Sequence, residues 1–251
     1  MRLSEFTRSP LGAFGILAVA GAFAFSPAAS AQHADIEFER GAGTGVGSIV
    51  IDPEGESDVT VNVKPGLTLF ESEFGEFGND FLTGDPGFDT EGGFVPGSLL
   101  EFEVQDSLLK WNPVAGAWES SGFDEIIDVI DVLDARVPVS SSTGTGATGP
   151  MGLFEGDGSF HDHIEFEIES TSGTPMDGAY LLELALFTED ESSAELRSNP
   201  FLIAFHLDAG GTFGEEDFEM AIDNLVVPIP AALPLFLSAL GVGWFIRRRR
   251  S

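Results

Sequence analysis

Apolar residues through the middle of this chain recur at every second position, in short runs broken by glycine, proline and aspartate. Residues 34–38, 48–51, 59–63, 99–104, 161–168, 180–187 and 201–207 all read as strands on this pattern. A period of two lets a strand bury one face and wet the other. Many such runs with turn residues between them specify an all-β chain, expected as an antiparallel β-sandwich or jelly-roll-like domain. One stretch departs from the pattern. Across 215–225, Phe218, Ala221, Ile222 and Leu225 fall on one helical face, and Glu215, Glu216 and Asp217 suit the positive end of a helix dipole. A short C-terminal helix is expected there. Residues 124–133 (DEIIDVIDVL) fit a helix by spacing and a strand by their β-branched content. Residues 140–149 (SSSTGTGATG) read as a low-complexity loop inside one domain.

The two ends carry addresses rather than fold. Arg2 and Arg8 flank the start, an apolar run covers 11–25, and Ala29-Ser30-Ala31 offers an A-x-A cleavage site. That is the layout of a secretory signal peptide over 1–31, handled by the Sec translocon and signal peptidase. At the other end, sixteen uncharged residues over 231–246 run into Arg247, Arg248, Arg249 and Arg250. A spanning helix takes roughly 17–25 residues, so this is a marginal, transient inner-membrane segment whose arginines stay in the cytoplasm. The exported body is then 32–226, long enough for one sizeable domain.

Val227, Pro228, Ile229, Pro230 and Ala231, with the apolar segment and arginine cluster behind them, resemble the PEP-CTERM sorting signal in its VPLPA variant. Isoleucine stands where the variant's name has leucine. The resemblance makes 227–251 a sorting signal and implies cutting by an exosortase, a membrane transpeptidase. It therefore implies export from a Gram-negative bacterium, through an inner-membrane intermediate, to the cell surface or extracellular matrix. A permanent tail anchor is the plain alternative.

Within 32–226, 41 acidic residues face five basic ones, Arg40, Lys64, Lys110, Arg136 and Arg197, a balance of −36. Such a body repels nucleic acid and anionic lipid and excludes both as partners. The surplus suits solubility, salty surroundings or loose calcium binding. The chain has no cysteine, which excludes disulfides, thiolate metal sites and thiol catalysis.

Three of the four histidines stand among carboxylates on strand-like runs. In 160–169 (FHDHIEFEIE), Phe160, Asp162, Ile164, Phe166 and Ile168 share one face, and His161, His163, Glu165, Glu167 and Glu169 share the other. In 33–39 (HADIEFE), Ala34, Ile36 and Phe38 point one way, and His33, Asp35, Glu37 and Glu39 the other. Histidines two apart on a strand are about 7 Å apart at Cα, close enough to share one ion. Side by side, the two runs would gather His33, His161 and His163 with Asp35 or Glu165. Three imidazoles and a carboxylate make a sound tetrahedral zinc shell. Solvated histidines on a wet face are the plain alternative. His206, in PFLIAFHLD, lies in an apolar run and reads as a buried, hydrogen-bonded core residue.

HADIEFE (33–39), GDPGF (84–88), PGSLLEFEVQDSLLKW (96–111), GDGSFHDHIEFEI (156–168), DGAYLLELAL (177–186) and SNPFLIAF (198–205) follow in order. Together they resemble the PEP-CTERM proteins repressed by the bacterial zinc-uptake regulator. That resemblance implies a protein made when zinc is scarce. His33, His161 and His163 match its pattern, while Phe218 stands where the family's final helix often carries a histidine.

No nucleophile–base constellation and no phosphate loop is evident, so no enzyme is expected. The expectation is an exported, exosortase-processed surface protein that binds a divalent metal, zinc before calcium, under zinc limitation. The alternative is a non-metal structural or adhesive component of the exopolysaccharide or biofilm matrix. A lectin-like role would need an aromatic platform, for which Trp111 and Trp118 are the candidates.

Overall fold

A computed structural model describes residues 35–52 and 67–225. The expected signal peptide 1–31, His33, the run 59–63 and the expected sorting segment 227–251 lie outside the described residues. Among those described, the strands in order are β1 (Ile36–Arg40), β2 (Gly45–Ile51), β3 (Leu69–Glu73), β4 (Leu82–Thr83), β5 (Phe88–Thr90), β6 (Leu99–Val104), β7 (Leu109–Asn112) and β8 (Ala117–Glu119). There follow β9 (Glu125–Ile130), β10 (Arg136–Ser140), β11 (Thr148–Leu153), β12 (Phe160–Asp162), β13 (Glu165–Ser170), β14 (Gly178–Glu189), β15 (Glu195–Ser198) and β16 (Phe201–Leu207). One α-helix closes the series, α1 (Glu215–Asp223). No helix of the described residues is long and apolar enough to cross a membrane.

The fold is an all-β sandwich of two sheets. The larger runs β11-β6-β14-β15-β2-β1-β5-β12, with β16 and β7 also on β14, β3 on β16 and β8 on β7. The smaller runs β10-β9-β13-β4 and is antiparallel throughout. Three pairings in the larger sheet are parallel: β1 with β5, β15 with β2, and β16 with β3. The ends of its long path come back together where Gly152 of β11 meets the Phe160 ring of β12.

The alternating residues meet in the main core. Phe38, Phe94, Phe154 and Phe160 form one ring cluster, with Phe94 stacked on Phe154 at 4.6 Å. Phe166 and Phe205 meet at 5.0 Å from the two sheets. The stretch 124–133 resolves as β9, paired on both sides by β10 and β13. Ile126, Ile127, Val129 and Ile130 fit a pleated, doubly flanked strand better than a helix, and β-branching outweighs the helical spacing.

The run 160–168 is not one strand. β12 pairs with β5 in the larger sheet and β13 with β9 in the smaller. The chain changes sheets at His163 and Ile164. There the Asp162 carboxylate takes the His163 amide N–H at 2.8 Å, an aspartate competing with the ladder for a backbone donor. Asp162 is consequently exposed and does not join the buried face, although Phe160, Ile164, Phe166 and Ile168 do.

A second apolar cluster lies under α1, joining Leu69, Trp111, Leu181, Leu202, Phe213, Phe218, Ala221 and Ile222. Phe218, Ala221 and Ile222 are the buried residues of the helix, as its spacing foretold. Trp118 donates its indole N–H to the Ala221 carbonyl at 3.1 Å, and the buried Trp111 ring tilts against it at 5.8 Å. Both tryptophans are spent on seating α1. They do not form the open platform that a lectin-like role would need.

Between β7, β9 and β14 lies a buried polar group. Lys110 Nζ meets Glu125 Oε1 at 2.7 Å and sits 5.0 Å from the centre of the Tyr180 ring. The Tyr180 hydroxyl donates to the Met176 carbonyl. Burial, and then the Glu125 charge, hold this phenol well above the ordinary tyrosine range. In the unfolded chain it ionises at about pH 10, so above that pH the unfolded state holds fewer protons than the folded one. Stability is therefore full below pH 10 and falls as pH rises, by up to about 1.4 kcal/mol per unit from this group. Tyr180 is the chain's one tyrosine, so phenolate absorbance near 295 nm reads it directly. That absorbance should appear only together with loss of the far-ultraviolet β signal. A smooth titration near pH 10 in the folded chain would contradict the burial argument.

Candidate metal centre

Asp35, His161 and His163 converge: one ligand atom from each lies within 4.8 Å of the others. Three separate elements bring them there. Asp35 precedes β1, whose Ile36 amide N–H bonds to the Gly87 carbonyl at 2.7 Å. His161 lies on β12, opposite Asp89 of β5. His163 sits at the crossing between the sheets.

The two runs named by the sequence do not pair with each other. β5 lies between β1 and β12, parallel to the first and antiparallel to the second. Convergence survives because β5 is short and because Gly87, just before it, has no side chain. A Cβ placed there would lie 2.3 Å from Asp35 Oδ1, 2.5 Å from His163 Cε1 and 2.7 Å from His163 Nε2. Gly87 does not have the left-handed backbone that calls for glycine. What it supplies is room for the two side chains.

The hydrogen bonds decide which nitrogens face inward. His163 Nδ1 lies 3.0 Å from the Gly84 carbonyl oxygen. A carbonyl only accepts, so Nδ1 carries the hydrogen and the neutral ring offers its Nε2 lone pair. That Nε2 lies 3.7 Å from Asp35 Oδ1. His161 Nδ1 lies 3.4 Å from Asp35 Oδ2 and 3.9 Å from Asp89 Oδ1. The two rings stand 5.5 Å apart, nearly perpendicular. Ligands about 2.0–2.1 Å from a tetrahedral zinc lie about 3.3 Å from one another. The two Asp35–imidazole spacings, 3.4 and 3.7 Å, are near that value and too long for good hydrogen bonds, and the trio as a whole lies within 4.8 Å.

The other residues singled out by sequence fall elsewhere. Glu165 is on β13, in the smaller sheet, opposite Ile130, and is not part of the cluster. The sheet change at His163 separates it from the histidines despite the shared alternation. His33, Val227 to Ala231 and Arg247 to Arg250 lie outside the described residues. Asp89, Gly87 and the Gly84 carbonyl were not picked out as site groups. Their signal in the sequence is GDPGFD (84–89), which announces a turn and says nothing of what the turn approaches.

No family model and no curated protein matches the chain. Among solved structures, the CooA pilin subunit from enterotoxigenic Escherichia coli is similar over 56% of this chain and 90% of that one. Its sequence identity is 11% and its TM-score 0.26, too slight a likeness to bear on function.

Proposed function

We propose that this chain is an exported, acidic β-sandwich protein that captures a divalent metal ion, zinc by preference, at the cell surface. The convergence of His163 Nε2, His161 Nδ1 and the Asp35 carboxylate carries this reading. Asp89, whose Oδ1 lies 3.9 Å from His161 Nδ1, is a further carboxylate beside that ring, although it is not one of the three residues that converge. Two imidazoles and carboxylates suit zinc. Calcium, which takes six to eight oxygen ligands, is poorly served by them. His161 and His163 are well exposed, at 60% and 42% of their side-chain surface, so the ion can be loaded directly from solution. Export and sorting rest on the two ends of the sequence. Mass spectrometry of the surface protein should find a C-terminus near Pro230, and a chain retaining Trp244 would refute the trimming.

Calorimetric zinc titration of the full chain in detergent, beside His161→Ala/His163→Ala, tests the metal reading. The double variant should bind one zinc fewer. Equal stoichiometry and heat in both would defeat the assignment, and the surface-structural alternative would stand in its place.

A further inference from the structure

We propose a second divalent-cation site where β3 and β16 meet the first turn of α1, held by Glu73, His206 and Glu215. It does not rest on the Asp35–His161–His163 reading. β16 and β3 run parallel in register, Leu202 beside Leu69, Ala204 beside Glu71 and His206 beside Glu73. On this face the apolar end is covered by Phe218, Ala221 and Ile222 of α1. The other end turns acidic as it meets Glu215.

His206 is 4% exposed, and its ring is fixed. Phe218 stacks on it at 4.9 Å, inclined by 17°, and Phe213 tilts against it at 5.9 Å. Its Nε2 lies 2.8 Å from the Phe213 carbonyl oxygen, so Nε2 carries the hydrogen. Nδ1 is thereby aimed at Glu215 Oε2, 3.7 Å away, and Glu73 Oε1, 4.0 Å away. Both are beyond hydrogen-bond reach and both only accept. In the neutral ring Nδ1 turns a lone pair toward two carboxylates, a mismatch that a cation between them would remove.

Among the described residues, no lysine or arginine is paired with Glu73 or Glu215. Lys110, Arg136 and Arg197 are paired with Glu125, with Asp128, Glu167 and Glu169, and with Glu103 and Glu195. Glu73 and Glu215 are exposed at 62% and 69% of their side-chain surface, so both can swing onto an ion without backbone movement. One fixed imidazole nitrogen with two mobile carboxylates suits a first-row divalent ion such as zinc, cobalt or manganese.

The test uses the full chain carrying His161→Ala/His163→Ala, so that the first cluster cannot contribute. Equilibrium dialysis with zinc should leave one bound ion, and zinc should move the His206 Nδ1 nitrogen resonance. Adding Glu73→Gln/Glu215→Gln should weaken that binding at least tenfold with the circular dichroism unchanged. These glutamates are chosen because they are exposed, whereas replacing His206 would disturb the packing under α1. The site is overturned if the histidine-depleted chain holds no zinc, cobalt or manganese. It is equally overturned if the glutamine variant binds as tightly, or if the His206 resonance ignores zinc and answers only to pH, which would make a proton the sole occupant. None of these outcomes touches the first cluster.

Discussion

Gly87→Ala should weaken zinc binding at the Asp35–His161–His163 cluster by about 100-fold or more, while the thermal midpoint shifts by only a few degrees. The added methyl would sit 2.3 Å from Asp35 Oδ1 and 2.5–2.7 Å from the His163 ring. Ordinary contact requires about 3.5 Å or more, so both ligands must retreat by roughly an ångström. Changes one shell further out typically cost 10–100-fold in metal affinity, and displacing the ligands themselves should cost at least the upper end. The fold should tolerate the change because the crowded atoms are the ends of side chains that can rotate outward. The Gly87 backbone is not left-handed, so alanine adds no backbone strain and slightly restricts the unfolded chain. Calorimetry reads the affinity and circular dichroism the midpoint. Wild-type affinity in a folded alanine variant would remove Asp35 and His163 as joint ligands.

The faces of the strands were legible and the neighbours of those faces were not. The alternation around Phe166 and Ile168, and around Ile36 and Phe38, gave the correct buried sides because period two is a local property. The run 201–207 coincides with β16. Which strand lies beside which is set by long-range pairing. β5 has only three residues, Phe88 to Thr90, too few to show a period, yet it separates the two histidine-bearing runs and brings Asp89 to His161. The sheet change after Asp162 was hidden because the alternation of Ile164, Phe166 and Ile168 continues unbroken across it. The burial of His206 followed from its apolar run. Its facing of Glu73 and Glu215 did not, since those residues arrive from β3 and α1, distant in sequence. His161 and His163 meet with Asp35 beside them, Glu165 lies in the smaller sheet, and His33 lies outside the described residues.

Lys110→Met should destabilise the chain by about 3–5 kcal/mol, the usual cost of removing one partner from a buried ion pair. For a domain of this size that lowers the thermal midpoint by about 6–20 °C. An exposed pair would cost only about 0.2–1 kcal/mol, so burial decides the outcome. The Glu125 side chain is 1% exposed and that of Lys110 12%. Glu125 Oε2 has no hydrogen-bond partner, and beyond Lys110 the Oε1 atom receives the Met176 amide at 3.2 Å. Without the ammonium, a carboxylate with no compensating positive charge is left in the packing between β7, β9 and β14. Methionine keeps most of the lysine stem, so a lost charge rather than a cavity would account for the fall. Lys110→Met/Glu125→Leu removes both charges together and should recover most of the stability, as apolar replacements of buried pairs commonly do. Denaturant unfolding of the three chains separates the cases. A single variant within about 1 kcal/mol of the parent, or a double variant no better than the single, would mean that solvent reaches Glu125 and that the pair behaves as a surface contact.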